Sequence, residues 1–97
     1  MEEVLLVQDG LTYVSGQDAI TARDAEGNEL ARIDIHEASP KVYDICHTFV
    51  DPVLRGRGVA SVLTGLAVER VQKEGATVTA SCSYGKAWLE KHPDQVK

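Results

Sequence analysis

Arg55-Gly56-Arg57-Gly58-Val59-Ala60 is the stretch at which the chain changes character. Apolar residues recur with a period near two before it and with a period near 3.6 after it. Downstream, Val59, Val62, Leu63, Leu66, Ala67 and Val71 lie at three- and four-residue spacings, which predicts a helix starting at the glycines. Gly75, preceded by Lys73, is its expected C-terminal stop. Thr77 to Cys82 predicts another strand. Ser83-Tyr84-Gly85 then leads to a short helix over Lys86 to Lys91, stopped by His92-Pro93 and anchored in the core by Trp88 and Leu89.

Upstream, Asp51-Pro52 closes a strand from Val42 to Val50, rich in β-branched and aromatic residues. Before it, Ala31, Ile33 and Ile35 alternate with Leu30, Arg32, Asp34 and His36, the period of a half-buried strand that Ala38-Ser39-Pro40 ends. Asp9-Gly10 and Glu26-Gly27-Asn28 separate earlier short apolar runs at Val4–Val7, Leu11–Val14 and Ala19–Arg23. Turns this short imply an antiparallel meander. The expected fold is α+β (mixed α/β) in one domain spanning residues 1–97: antiparallel strands, a glycine loop with its helix, a strand and a short C-terminal helix.

Composition narrows the function. With 43% hydrophobic and 26% charged residues in 97, the chain can build one core and is not a disordered one. A net charge of -5 argues against nucleic acid, which requires a basic footprint. No run approaches a membrane span, and the acidic Met1-Glu2-Glu3 start is unlike a signal peptide. Two isolated cysteines, Cys46 and Cys82, form neither a disulfide framework nor a metal clip, so a cytoplasmic protein without metal is expected. Residues 1–48 hold ten acids against three bases, whereas residues 49–97 hold five against seven. A locally cationic glycine loop on an acidic protein suits a small anionic ligand.

A strand, a glycine turn and a helix form a phosphate cradle. The first helical turn leaves N–H groups unpaired, the helix dipole adds positive charge, and glycines at 56 and 58 admit close approach and positive φ. Arg55 and Arg57 can add charge-assisted hydrogen bonds to phosphate oxygens. The P-loop pattern fails at Val59, which stands where it needs Lys, and the dinucleotide fingerprint fails at Ser61, which stands where it needs a third glycine. The hexapeptide does satisfy the Arg/Gln-x-x-Gly-x-Gly/Ala signature of the GNAT superfamily of N-acetyltransferases. With His47-Thr48-x-Val50, Pro52-x-Leu54, Cys82-Ser83-Tyr84 and His92-Pro93 in order, the second half of the chain resembles the small single-domain YjdJ-like branch of that superfamily.

That resemblance implies acetyl-coenzyme A as cofactor. It implies that Arg55, Gly56, Arg57, Gly58, Val59 and Ala60 hold the pyrophosphate. It implies too that Val42–Val50 splays from Thr77–Cys82, so that the pantetheine arm bonds the backbone of Thr48, Phe49 and Val50. The thioester would end near Cys46–Thr48 and Cys82–Tyr84. Acetyl transfer to an amine needs a base, donors to the developing oxyanion and an acid for the leaving thiolate. His47 offers either a base or a packed strand histidine. Tyr84 is the acid that larger acetyltransferases imply, or else a boundary residue with its hydroxyl in water. Cys82, before a helix and near Lys86, is a pocket residue with a covalent role as the lesser option. Cys46 is expected in the core, on the opposite face from His47. Phe49 stands where several members carry an acid, leaving that role to His47 or a water. With no helical period before Val59, the wall that larger members build over the acceptor is missing. The resulting expectation is transfer of acetyl to a primary amine of unknown identity, on a small molecule or a protein lysine, with a homodimer as a possible partner arrangement. The alternative is a non-catalytic coenzyme A sensor or interaction module.

Overall fold

The computed structural model describes residues 2–92. Pro93, expected to stop the last helix, lies outside the described residues. Five strands, β1 (Glu3–Gln8), β2 (Leu11–Ser15), β3 (Ala19–Arg23), β4 (Glu29–Ser39) and β5 (Val42–Val50), form the antiparallel meander. A 3-10 turn at Pro52–Leu54 and the glycine loop lead into α1 (Val59–Lys73). This helix crosses over to β6 (Thr77–Ala80), which pairs parallel with β5 and completes a six-stranded sheet in sequential order. The chain continues into α2 (Ser83–Lys91).

The two periodicities explain the packing. Ile20 and Ala22 of β3, Ala31, Ile33 and Ile35 of β4, and Ile45 of β5 share one face of the sheet. Leu63, Ala67, Val68 and Val71 of α1 lie against them, all 1% exposed or less. Gly75, with φ +74, ends α1 through bonds from its own N–H to Gln72 and from the Ala76 N–H to Val71, a Schellman stop. Arg70 fastens the far end of α1 to the β2–β3 turn by donating to Ser15 Oγ and the carbonyls of Gly16 and Gln17.

Two boundaries and the exposure of one residue differ from the sequence expectation. β6 ends at Ala80 because Ser81 and Cys82 turn in, both donating their N–H to Ile45 O. α2 starts three residues earlier than expected, capped by Cys82, whose Sγ accepts the Gly85 N–H at 3.3 Å. Cys46 is exposed rather than in the core. In the β4–β5 register Asp34 faces His47 and Ile35 faces Ile45, so Cys46 is the extra residue of a β-bulge. The bulge turns two successive side chains, Cys46 and His47, outward, whereas strict alternation allows only one.

The tightest point of this packing is Gly85, where a Cβ would stand 2.9 Å from Ala80 Cβ, 3.1 Å from Cys82 Sγ and 3.2 Å from Ile45 Cγ2. Gly85→Ala is expected to lower stability by about 1–2 kcal/mol, overpacking outweighing the gain in helix propensity. Gly65→Ala, whose Cβ meets only Trp88 Cζ2 at 3.6 Å, should be neutral or raise stability by up to ~1 kcal/mol. Urea unfolding of the two variants checks this contrast. Equal midpoints would show that the α2–β5 contact is loose.

Candidate active site

The bulge at Cys46 also decides which residues face the site. The paired stretch of β5 and β6 ends at Ile45–Ala80, and beyond it the two strands diverge. Ile45 presents its carbonyl to the β6 side, where Ser81 and Cys82 use it. Asp51 presents its N–H to β4, bonding Leu30 O at 2.8 Å. Backbone groups alternate sides along a strand, so Phe49 faces β4 as Asp51 does, opposite Arg32. The backbone groups of Thr48 and Val50 therefore face the gap. Unbroken alternation from Ile45 through Cys46 would instead turn them toward β4.

At the wide end of the fork lies the glycine loop. Gly58 is the N-cap of α1, in the left-handed region at φ +73, and has no side chain to cap the helix. Val62 is the first residue whose N–H reaches a helical carbonyl, Gly58 O at 3.1 Å. Among the described residues, no acceptor takes the N–H groups of Gly58, Val59, Ala60 and Ser61. Gly56, at φ +79, and Gly58 would each project a Cβ into open space. A cleft of about 200 Å³ lies there, lined by Val50, Leu54, the loop from Arg55 to Ser61 except Arg57, and Tyr84 from α2. Buried Leu54 roots the loop in the core, and Asp51 caps the 3-10 turn before it by accepting the Val53 N–H at 3.0 Å.

The structure brings some of the expected site residues together and separates others. Thr48 and Cys82 meet across the fork, Oγ1 to Sγ 3.6 Å, on the helix side of the sheet. Tyr84 joins Val50 and Arg55 at the cleft. Arg57 turns away from it: its guanidinium donates to Asp9 O at 2.8 Å and its N–H to Leu54 O at 3.2 Å. It holds the loop to the β1–β2 turn, whereas the sequence expectation places it on the pyrophosphate. His47 and Phe49 lie on the opposite, outer face of the sheet, both exposed, and His47 sits across from Asp34. Partial desolvation and the nearby Asp34 carboxylate push the thiol of the exposed Cys46 up from its ordinary value.

Sequence reasoning missed two residues. Asp44 sits at the apex of the fork on the outer face and accepts hydrogen bonds from Thr79 Oγ1 at 2.9 Å and from Ser81 Oγ, pinning β6 to β5 up to the point where they part. Ser61 Oγ accepts the indole N–H of Trp88 at 3.0 Å beside the cleft. Residue spacing carries a signal for neither, because each depends on two segments meeting.

A family model described as GCN5-related N-acetyl-transferase matches residues 19–97. Among solved structures, the chain is similar to a GCN5-like protein of Staphylococcus aureus at 31% identity and TM-score 0.73, over 91% of this chain and 86% of that one. It is similar to the GNAT family N-acetyltransferase YhbS of Escherichia coli, solved in complex with CoA, at 19% identity and TM-score 0.59, over 64% of this chain and 38% of that one. Tetrahymena GCN5 shares the fold at 10% identity and TM-score 0.63, over 87% of this chain and 51% of that one. A comparison with curated proteins gives no match. The forked strands, the glycine-capped helix with its free N–H groups and the match over residues 19–97 agree: the chain belongs to the GCN5-related N-acetyl-transferase family.

Proposed function

We propose that this chain transfers acetyl from acetyl-coenzyme A to a primary amine presented on the outer face of the sheet. The observation that carries the reading is the pairing of two unsatisfied backbone sets: the Thr48 and Val50 groups facing the fork, and the free N–H groups at the start of α1. Family members use acetyl-coenzyme A, and the donors here fit it. Four N–H groups at a helix N-terminus, with Arg55 beside them, match a pyrophosphate, and a glycine-lined loop leaves it room. Amides of the pantetheine arm need strand-like partners, which Thr48 and Val50 offer.

The cofactor supplies an activated acetyl thioester. The chain's own groups do the rest. Thr48 and Cys82 mark the narrow end of the fork on the helix side, with two polar groups to orient the reacting end and donate to the leaving sulfur. Tyr84 stands at the cleft as a further hydroxyl. On the outer face, His47 takes the proton of the incoming ammonium, and the Asp44 carboxylate draws the cation to that side, Asp34 being already paired with Arg32 at 2.7 Å. The Staphylococcus protein, spanned over 86% of its length, supports placing the chain in the small single-domain branch. Two free cysteines support a cytoplasmic setting.

Acetyl-coenzyme A titrated into the purified protein should bind, and Gly58→Trp, which fills the cradle, should weaken binding at least tenfold. Arg55→Glu should do the same by placing a carboxylate beside the phosphates. Undiminished affinity in both variants would overturn the assigned cradle. Thiol release over a panel of primary amines tests the activity itself. Binding with no release on any amine would leave a coenzyme A sensor.

For the reacting end, His47→Gln is expected to lower kcat by about 10²-fold while leaving the Kd for acetyl-coenzyme A unchanged. Cys82→Ala should also lower kcat, and mass spectrometry of the parent after incubation with acetyl-coenzyme A alone tests for acetyl on Cys82. Unaltered kcat in both variants would move the chemistry away from the fork.

A further inference from the structure

The single tryptophan of the chain is placed to act on the cofactor cleft. Trp88 is 6% exposed, and its indole N–H finds its partner in Ser61 Oγ at 3.0 Å. Ser61 is the third residue of α1, at the cleft, where the N–H groups are unpaired. A helical serine commonly turns its hydroxyl back to the carbonyl four residues earlier. Thr64 on the same helix does this, bonding Ala60 O at 2.8 Å. Ser61 does not. Its oxygen accepts from Trp88, and its own proton has no acceptor among the described residues.

The indole is clamped. Its ring stacks on His92 with centroids 3.9 Å apart and 17° between planes, and His92 Nδ1 lies 2.8 Å from Trp88 O. Gly65 leaves room for it on α1. A hydroxyl that accepts from a fixed donor is polarised, so its proton becomes a better donor in turn.

We propose that Ser61 donates its hydroxyl proton to a pyrophosphate oxygen of the cofactor, and that Trp88 is the positioning residue that orients it. The inference rests on the cleft taking coenzyme A. It adds a side-chain donor to a cradle otherwise made of backbone N–H groups and Arg55. It also ties the cleft to α2, whose first turn carries Tyr84 and whose cap is Cys82.

The experiment compares binding of coenzyme A with that of S-acetylpantetheine, which lacks the pyrophosphate, by calorimetry. Ser61→Ala should weaken coenzyme A by about tenfold, the size of one charge-assisted hydrogen bond, and leave S-acetylpantetheine within about twofold. Ser61→Thr should restore most of the loss. Trp88→Phe keeps the ring and loses the N–H. It should weaken coenzyme A severalfold in the parent and add nothing in Ser61→Ala, the non-additivity of a coupled pair. Trp88 emission should change when coenzyme A binds the parent, and change less in Ser61→Ala. A Ser61→Ala protein that binds coenzyme A like the parent would overturn the proposal, as would equal losses for both ligands. If Trp88→Phe does not fold, the Ser61→Ala and Ser61→Thr comparison decides alone. A parent that fails to bind coenzyme A at all would instead refute the cofactor reading beneath it.

Discussion

Which residues of β5 line the fork depends on one extra residue in that strand. The bulge at Cys46 changes which backbone groups face β6. Up to Ile45 the β6-facing groups are used, the Ile45 carbonyl by both Ser81 and Cys82. Beyond it the same edge has no strand neighbour among the described residues. A strand edge without partners leaves its N–H and C=O groups to a ligand or to water. The Asp44 contacts with Thr79 and Ser81 then fix where the opening begins, and the Thr48–Cys82 contact spans it on the helix side.

The two faces of the sheet divide the work. On the helix side, α1 and α2 cover the core and form the cofactor cleft, and Thr48, Val50, Cys82 and Tyr84 all belong to this side. Across the sheet lie Cys46, His47, Phe49, Arg32 and Asp34, with no helix over them among the described residues. Phe49 is 46% exposed there. The charge asymmetry along the chain follows the same division. The acidic first half builds the meander, whereas the mildly basic second half supplies the loop and its helix.

The order of elements was legible from apolar periodicity, since a period of two and one of 3.6 need opposite packing partners and each found one. The glycine loop was legible because Gly56 and Gly58 adopt positive φ that other residues resist. What escaped were features set by register. Nothing in Ile45-Cys46-His47 marks a bulge, so a strict alternation sent Cys46 to the core and the structure sends it to solvent. The same limit applies to Arg57, whose partner is a turn carbonyl 48 residues away. Two arginines flanking one glycine look alike in sequence, and only the fold decides which stays at the cleft.

This division bears on what the proposed cofactor side asks of the sequence. In the proposed site, the pyrophosphate cradle would use backbone N–H groups that any helix start provides, and the pantetheine edge backbone groups that any forked strand provides. Both come with the fold at almost no cost in sequence. An acceptor pocket is different, because selecting one amine over another requires side chains arranged around it on supporting elements. The outer face offers a sheet surface with His47, Asp34 and Asp44, and α1 and α2 are both occupied on the other side. Discrimination among amines on such a face rests on charge and on whatever the acceptor itself brings to cover it. In the proposed reaction, such a face, with no helix over it among the described residues, suits an amine carried on a larger surface, which brings its own wall.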